Sequence, residues 1–302
     1  MKADVKKLVK EVLKQAPTGG EKSGQYPIIV KLRSESEGTT KKYSNIISKE
    51  TTWTALISLG FVGEEELLFR ILTNAKTSPI NAVMVTEAQP KSHRSKKSDS
   101  EYTEGNSRID IAIGDIAVRP KGNKGDKLQV GIEYSGEKGG SVCFVEAKLD
   151  SDIACSTGYR FYRNQLLRII ENLAVFNKKD TNGKVIYPKT IHFALMTPKC
   201  FKEKPRTRLY AYLFNLYSTK EGAETLIEDI HEPYPITAKN DDSTEDEHSK
   251  SEQGAIDKRI RTIKLHWITH EELIEGIPNK EYRIALINLM KAVDKTKLLI
   301  RL

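Results

Sequence analysis

The chain is poor in cysteine. Its 302 residues include three, Cys143, Cys155 and Cys200, far apart and with no CxxC pair. That spacing excludes a thiolate zinc site and suits a reducing, intracellular compartment, so a cytoplasmic protein is expected. Cys143 sits in an apolar run and reads as a small core residue. The six histidines form no HxH or HExxH pattern, which argues against a zinc enzyme. No GxxxxGK[ST] run is present, so no nucleoside triphosphate-driven motor is encoded. No stretch approaches the roughly 20 apolar residues that cross a bilayer. The N-terminal MKADVKKLVKEVLKQA is amphipathic and lacks the continuous apolar stretch of a signal peptide. No membrane and no triphosphate partner are therefore expected. No fixed-period repeat is visible.

Charge is what the chain has in quantity. Lys plus Arg is 49 and Asp plus Glu is 41, a formal +8 at pH 7, which favours a polyanionic partner without identifying it. The basic residues gather in places. Lys91 to Lys97 includes Arg94, Lys96 and Lys97, a run suited equally to gripping phosphates or to a solvated loop. Lys202, Lys204, Arg206 and Arg208 form a second such group. Arg160 and Arg163 alternate with Tyr159 and Tyr162, a mixture that suits backbone contacts and stacking.

Apolar periodicity organises the chain. Residues 2 to 15 carry a helical stripe. YPIIVKLR, 26 to 33, reads as a strand and 34 to 50 as a polar loop. A short helix over Thr54 to Leu59 precedes a stronger one from Gly63, whose acidic residues fall in its first turn. Strands are expected at 80 to 87, at 107 to 118 (alone or as a hairpin), at 128 to 134 and at 141 to 149. A long helix over Tyr159 to Phe176 follows, then a strand over 190 to 198 and helices over 209 to 217 and 223 to 230. TAKNDDSTEDEHSKSEQG, 237 to 254, reads as a loop or disordered insert. A strand over 259 to 268 and helices over 270 to 275 and 280 to 291 end the chain. The expected architecture is one α/β domain over 1–302, a mixed sheet with helices on its faces. Its core lies at about 60–217, flanked by extensions at 1–50 and 220–302.

SVCFVEAKLD, 141 to 150, ends a buried strand with a carboxylate and an amine. Glu146 and Lys148 project to one face, with Ala147 and Leu149 opposite. Neither charge is cheap to bury alone. Asp110 lies in an earlier apolar strand between Ile109 and Ile111. On the helix from Gly63, the apolar residues Leu67, Leu68, Ile71 and Leu72 set the buried face. Glu64 projects onto its centre, Glu65 onto its edge and Glu66 away. Converging carboxylates make a hard-cation site suited to Mg²⁺ or Mn²⁺. A lysine beside them could hold a nucleophilic water or offset charge on a phosphorane, which is the equipment phosphodiester hydrolysis needs.

Asp110 followed by Glu146-Ala147-Lys148 resembles the D…ExK signature of the PD-(D/E)XK nuclease superfamily, with Ile109 where the family name records a proline. The resemblance covers about half the chain, roughly 60 to 217. It implies a restriction-endonuclease-like core in the order helix–strand–strand–strand–helix–strand. It implies a metal site of Asp110 and Glu146 completed by a first-helix glutamate, here Glu64, with Lys148 as catalytic lysine. The family's QxxR in the following helix matches Gln165 and Arg168, as supports of the active site. The implied activity is a Mg²⁺-dependent (Mn²⁺ as substitute) DNA endonuclease of restriction or defence type, working as a homodimer that cuts both strands. A non-cleaving nucleic-acid-binding module, a structure-selective resolvase and an RNA-directed nuclease are the alternatives. The bland readings are a structural Glu146–Lys148 ion pair, a water-facing Asp110, Glu64 as a plain helix-start acid, and Gln165 and Arg168 as solvated residues.

Overall fold

A computed structural model of the chain describes residues 2–16, 25–27, 33, 50–91, 108–119, 130–154, 164–204, 208–231 and 247–294. Everything below refers to these. The expected basic residues Arg94, Lys96, Lys97, Arg160, Arg163 and Arg206, and Cys155, lie outside them.

The N-terminal stripe forms α1 (Lys2–Gln15) and buries Val9, Val12 and Leu13. The segment expected to be a strand over 26 to 33 is not extended where described: Pro27 and Arg33 are helical. Proline presets the φ of a helix start and brings no N–H to a strand ladder, which outweighs the β-branched residues behind it. The next helix, α2 (Glu50–Leu59), begins four residues before the expected Thr54, inside the expected loop. Every residue from Thr52 to Leu59 is buried. A helix apolar all round shows little periodicity, and so its start was hidden. Helix α3 (Glu65–Thr73) follows and buries Leu68, Phe69 and Leu72.

Strand β1 (Val83–Pro90), β2 (Ile109–Gly114), β3 (Ile116–Val118), β4 (Val130–Tyr134) and β5 (Ser141–Ala147) come next. The expected strand or hairpin at 107 to 118 is two strands that do not pair with each other; β3 pairs with β4 instead. The break is at Gly114-Asp115. Gly114 has φ +128, and the Asp115 carboxylate accepts from Ser141 N at 2.7 Å. Then come α4 (Gln165–Ala174), a small hairpin of β6 (Lys178–Lys179) and β7 (Val185–Ile186), and β8 (Thr190–Thr197). Helices α5 (Lys199–Glu203), α6 (Leu209–Tyr217) and α7 (Gly222–His231) follow. Helix α8 (Glu247–Ile260) occupies the second half of the stretch expected to be a loop, where polar composition concealed a helix. The expected strand 259 to 268 starts later, as β9 (Lys264–Thr269). Helices α9 (His270–Gly276) and α10 (Lys280–Asp294) close the described chain. Thr269 and Glu272 form a reciprocal capping box at the start of α9.

The fold is α/β, with a mixed seven-stranded sheet in the order β3-β4-β1-β2-β5-β8-β9. Pairs β1/β2, β2/β5 and β3/β4 are antiparallel; β1/β4, β5/β8 and β8/β9 are parallel. Two apolar cores sandwich the sheet. One joins α1, α2, α3, α9 and α10 to Ile111, Ile113, Cys143, Val145 and Ala147. The other joins α4, α6, α7 and α8 to Ala112, Phe144, Phe193 and Leu195. Cys143 is wholly buried, as expected of a core residue. On α4, Leu166, Leu167, Ile169, Ile170 and Leu173 are all at most 1 % exposed. At about 1.5–3 kcal/mol for each large apolar side chain, their burial fixes that helix on the sheet. Among the described residues no helix is long and apolar enough to cross a membrane.

Candidate active site

Strand β5 is apolar to its last turn because both of its faces are covered. Beyond Val145 the apolar run ends but the burial does not, and Glu146 and Lys148 follow. Ala147 and Leu149 belong to the α1–α2–α3 core. Side-chain alternation therefore sends Glu146 and Lys148 to the α4 side. The antiparallel register pairs Ile111 with Val145. One step further sets Asp110 opposite Glu146, and opposed residues in such a pair project to the same face. The bond from Ala147 N to Asp110 Oδ2, at 2.7 Å, fixes the aspartate there. Lys148 N donates to Met196 O at 2.8 Å, carrying the β5–β8 pairing past the end of the strand.

The three side chains are buried: Glu146 is 1 % exposed, Lys148 5 % and Asp110 8 %. Lys148 Nζ donates to Glu146 Oε1 at 2.5 Å. Glu146 Oε2 is buried and has no hydrogen-bond partner among the described residues. Burial pushes the Asp110 carboxyl up to about 6, against the pull of Ala147 N–H and the Lys148 ammonium. Burial and the charge of Asp110 hold Glu146 well above the usual carboxylate range, with Lys148 opposing. Burial draws Lys148 downward, but Glu146 and Glu50 outweigh it and keep its ammonium above the ordinary value.

Glu50 is the residue that sequence reasoning missed. It stands in the first turn of α2, where a negative charge is favoured. From there it reaches the end of β5 from the opposite layer. Its Oε2 accepts from Leu149 N at 2.6 Å and Ser151 Oγ at 2.8 Å, and its Oε1 lies 3.6 Å from Lys148 Nζ. It also acts on the charges of Asp110 and Glu146. Glu64, expected in this place, is exposed and is not among the charges acting on those two acids. Its backbone, φ −131 and ψ 35, lies just outside α3, so the helical projection that pointed it inward does not apply. Glu65 instead accepts from Gly63 N, and Glu66 from Ser78 Oγ and Asn81 N. An acid in a first turn ahead of Trp53, Leu56 and Ile57 was the available signal for Glu50.

Gln165 opens α4, on the face to which Glu146 points, and its N–H donates to Ala154 O at 3.1 Å. Asn164 caps this helix through its side-chain oxygen and Leu167 N at 3.1 Å. Arg168 is half-buried one turn on, on the same side of α4 as Gln165. In the second basic group, Lys202 and Arg208 are engaged within the fold, while Lys204 is exposed. Lys202 Nζ donates to Trp267 O at 2.7 Å, and Arg208 donates to Asp150 O at 2.9 Å while its guanidinium lies 3.9 Å over the Phe201 ring.

Among the described residues, no three His, Cys, Asp or Glu side chains lie close enough to enclose a metal ion. A pair of carboxylates does meet, at Asp110 and Glu146. Two carboxylates with water completing the shell is a usual way for proteins to hold Mg²⁺. With all four groups ionised, three carboxylates face one ammonium, leaving two negative charges in excess at a buried place. The unpartnered Glu146 Oε2 adds a buried acceptor, so the donor set fits a hard divalent cation. Comparison with known proteins finds no matching family model, no matching curated protein and no matching solved structure.

Proposed function

We propose that the chain is a Mg²⁺-dependent DNA endonuclease whose core is of the restriction-endonuclease-like PD-(D/E)XK type. The observation that carries this reading is the buried pair of carboxyls Asp110 and Glu146, both raised by burial, beside the single ammonium of Lys148. Groups left in such a state by folding alone are costly, and they collect where function requires them. With β3, β4 and the β6–β7 hairpin taken as insertions, helix α3, strands β1, β2 and β5, helix α4 and strand β8 are compatible with the order that the resemblance implies.

In this reading Asp110 and Glu146 hold Mg²⁺, or Mn²⁺ in its place. The bound ion supplies polarisation of a phosphate oxygen and a water of lowered pKa. Lys148 brings positive charge to where the scissile phosphate gathers negative charge, and orients the attacking water. Burial of the acids keeps bulk water from screening that charge. Gln165, from the start of α4, supports the site at its open end, with Arg168 one turn behind. A homodimer would bring a second such site to the other strand of a duplex.

The test is cleavage of supercoiled plasmid with Mg²⁺, with EDTA, and by the Lys148→Met variant. The expected result is cleavage that EDTA abolishes and that Lys148→Met lowers by at least 100-fold. Full activity in that variant would remove lysine from the chemistry. The close Glu146–Lys148 contact favours a second reading, a structural ion pair in a module that binds nucleic acid without cutting it. Salt-sensitive binding with no cleavage under any divalent ion would select it.

A further inference from the structure

We propose that Glu50 is a positioning residue for Lys148 and not a ligand of the cation; this rests on the nuclease reading above. The distinction comes from where the acceptor capacity of each acid is spent. Glu50 Oε2 already takes two donors, Leu149 N at 2.6 Å and Ser151 Oγ at 2.8 Å. Its Oε1 faces Lys148 Nζ at 3.6 Å. Oε2 is thus committed to the turn after β5, and Oε1 stands in ion-pair range of the lysine that begins it. Glu146 keeps a buried oxygen with no partner among the described residues, and Asp110 and Glu146 stand side by side across β2 and β5. The unspent buried oxygen belongs to Glu146, whereas Glu50 Oε2 already serves two donors.

The stretch after β5 is fastened from both layers of the fold. Glu50 reaches it from α2. From the other side, Arg208 donates to Asp150 O at 2.9 Å, and Asp152 accepts from Leu209 N and Tyr210 N at 2.6 and 3.1 Å at the start of α6. Helix α2 is itself tied down, because Tyr282 Oη donates to Leu56 O at 2.6 Å. The Lys148 ammonium therefore has two carboxylate neighbours of different kinds. Glu146 is shared with the cation site, whereas Glu50 is dedicated to the lysine and its turn. An ammonium released from Glu146 keeps Glu50 as its anchor and stays at the site.

Glu50→Gln in the full chain isolates this role. The glutamine carbonyl still accepts from Leu149 N and Ser151 Oγ, but its charge is gone and its amide faces the ammonium with a donor. The first readout is Mn²⁺ alone, titrated by electron paramagnetic resonance: loss of one neighbouring charge is expected to weaken affinity by less than tenfold. The second is plasmid cleavage, with kcat expected to fall at least tenfold while KM stays within threefold and the melting temperature is unchanged. A tenfold loss of Mn²⁺ affinity would make Glu50 a ligand and overturn the proposal, as would an unchanged kcat. The third readout is independent of cleavage: ¹⁵N relaxation of the Lys148 ammonium in Glu146→Gln and in Glu146→Gln/Glu50→Gln. The ammonium is expected to stay ordered in the single variant and become mobile in the double. Equal order in both would overturn the proposal. A wild type inert toward nucleic acid under every divalent ion would overturn the nuclease reading, while the relaxation pair would still decide whether Glu50 anchors the lysine.

Discussion

Asp110 illustrates a conflict between stability and readiness at one position. Its carboxyl is raised to about 6 from an ordinary value of 3.8, first because it is buried. A group raised in the folded state contributes stability that is complete below its unfolded value and is lost as pH climbs through the folded one. Between about pH 4 and pH 7 the metal-free protein therefore loses what this residue contributes, on the order of 2–3 kcal/mol for a shift of this size. Asp110→Asn keeps an acceptor for Ala147 N and removes the charge. The variant is expected to be more stable than the wild type at pH 8 by about 2–3 kcal/mol, with the difference vanishing below pH 4. Urea unfolding across that range checks it; a variant less stable at pH 8 would mean that the charge is already satisfied. The same substitution is expected to abolish cleavage, the usual relation between a strained site and its activity.

Elements place these residues, and some elements were far more readable than others. Helix α1 and strands β5 and β8 carry strong apolar patterns that locate them, because one face or both are packed. Helix α4 is legible too, but it starts at Gln165 behind its Asn164 cap rather than running through from Tyr159 to Phe176, and 159–163 lie outside the described residues. Gly114 marks a boundary of the same kind. With φ +128 it adopts a conformation that L residues rarely reach, and a Cβ there would sit 2.2 Å from Ser141 O. Gly114→Ala is expected to cost about 2–5 kcal/mol from strain and overpacking together. A drop in the urea midpoint with an unchanged slope would show it. Asp110 and the Glu146-Ala147-Lys148 triplet were legible because charges at the end of an apolar strand contradict their surroundings. Glu50 was not, since α2 is buried nearly all round and its first turn runs into a polar stretch with no visible break. The wheel that drew Glu64 inward assumed a helix from Gly63, two residues before its start at Glu65. The hairpin of β6 and β7 was missed as well, its strands being two residues each and largely solvated. The pairing of β3 with β4 depends on partners distant in the chain, which no local pattern encodes.

At the scale of the molecule, excess negative charge at the end of β5 should make stability depend on divalent ions. A ligand that binds only the folded state stabilises it by about 2.7 kcal/mol at 100 times its Kd. Mg²⁺ is therefore expected to raise the melting temperature by roughly 5 °C at pH 8. EDTA should reverse the shift, lower pH should shrink it as Asp110 and Glu146 take up protons, and Glu146→Gln should remove it. Differential scanning calorimetry reads all three. A shift of the same size in Glu146→Gln would place the ion elsewhere on the surface.

The seven-stranded sheet separates two apolar cores that do not otherwise share their strand residues, and the turn after β5 is gripped by a side chain from each. Under the proposed function, that arrangement would make the site a gauge of the whole scaffold. Slippage of either helical layer against the sheet would drag on the lysine before any substrate arrived. Substitutions deep beneath α10 or α6, remote from Lys148, are thus expected to disturb the site while leaving Asp110, Glu146 and Lys148 untouched.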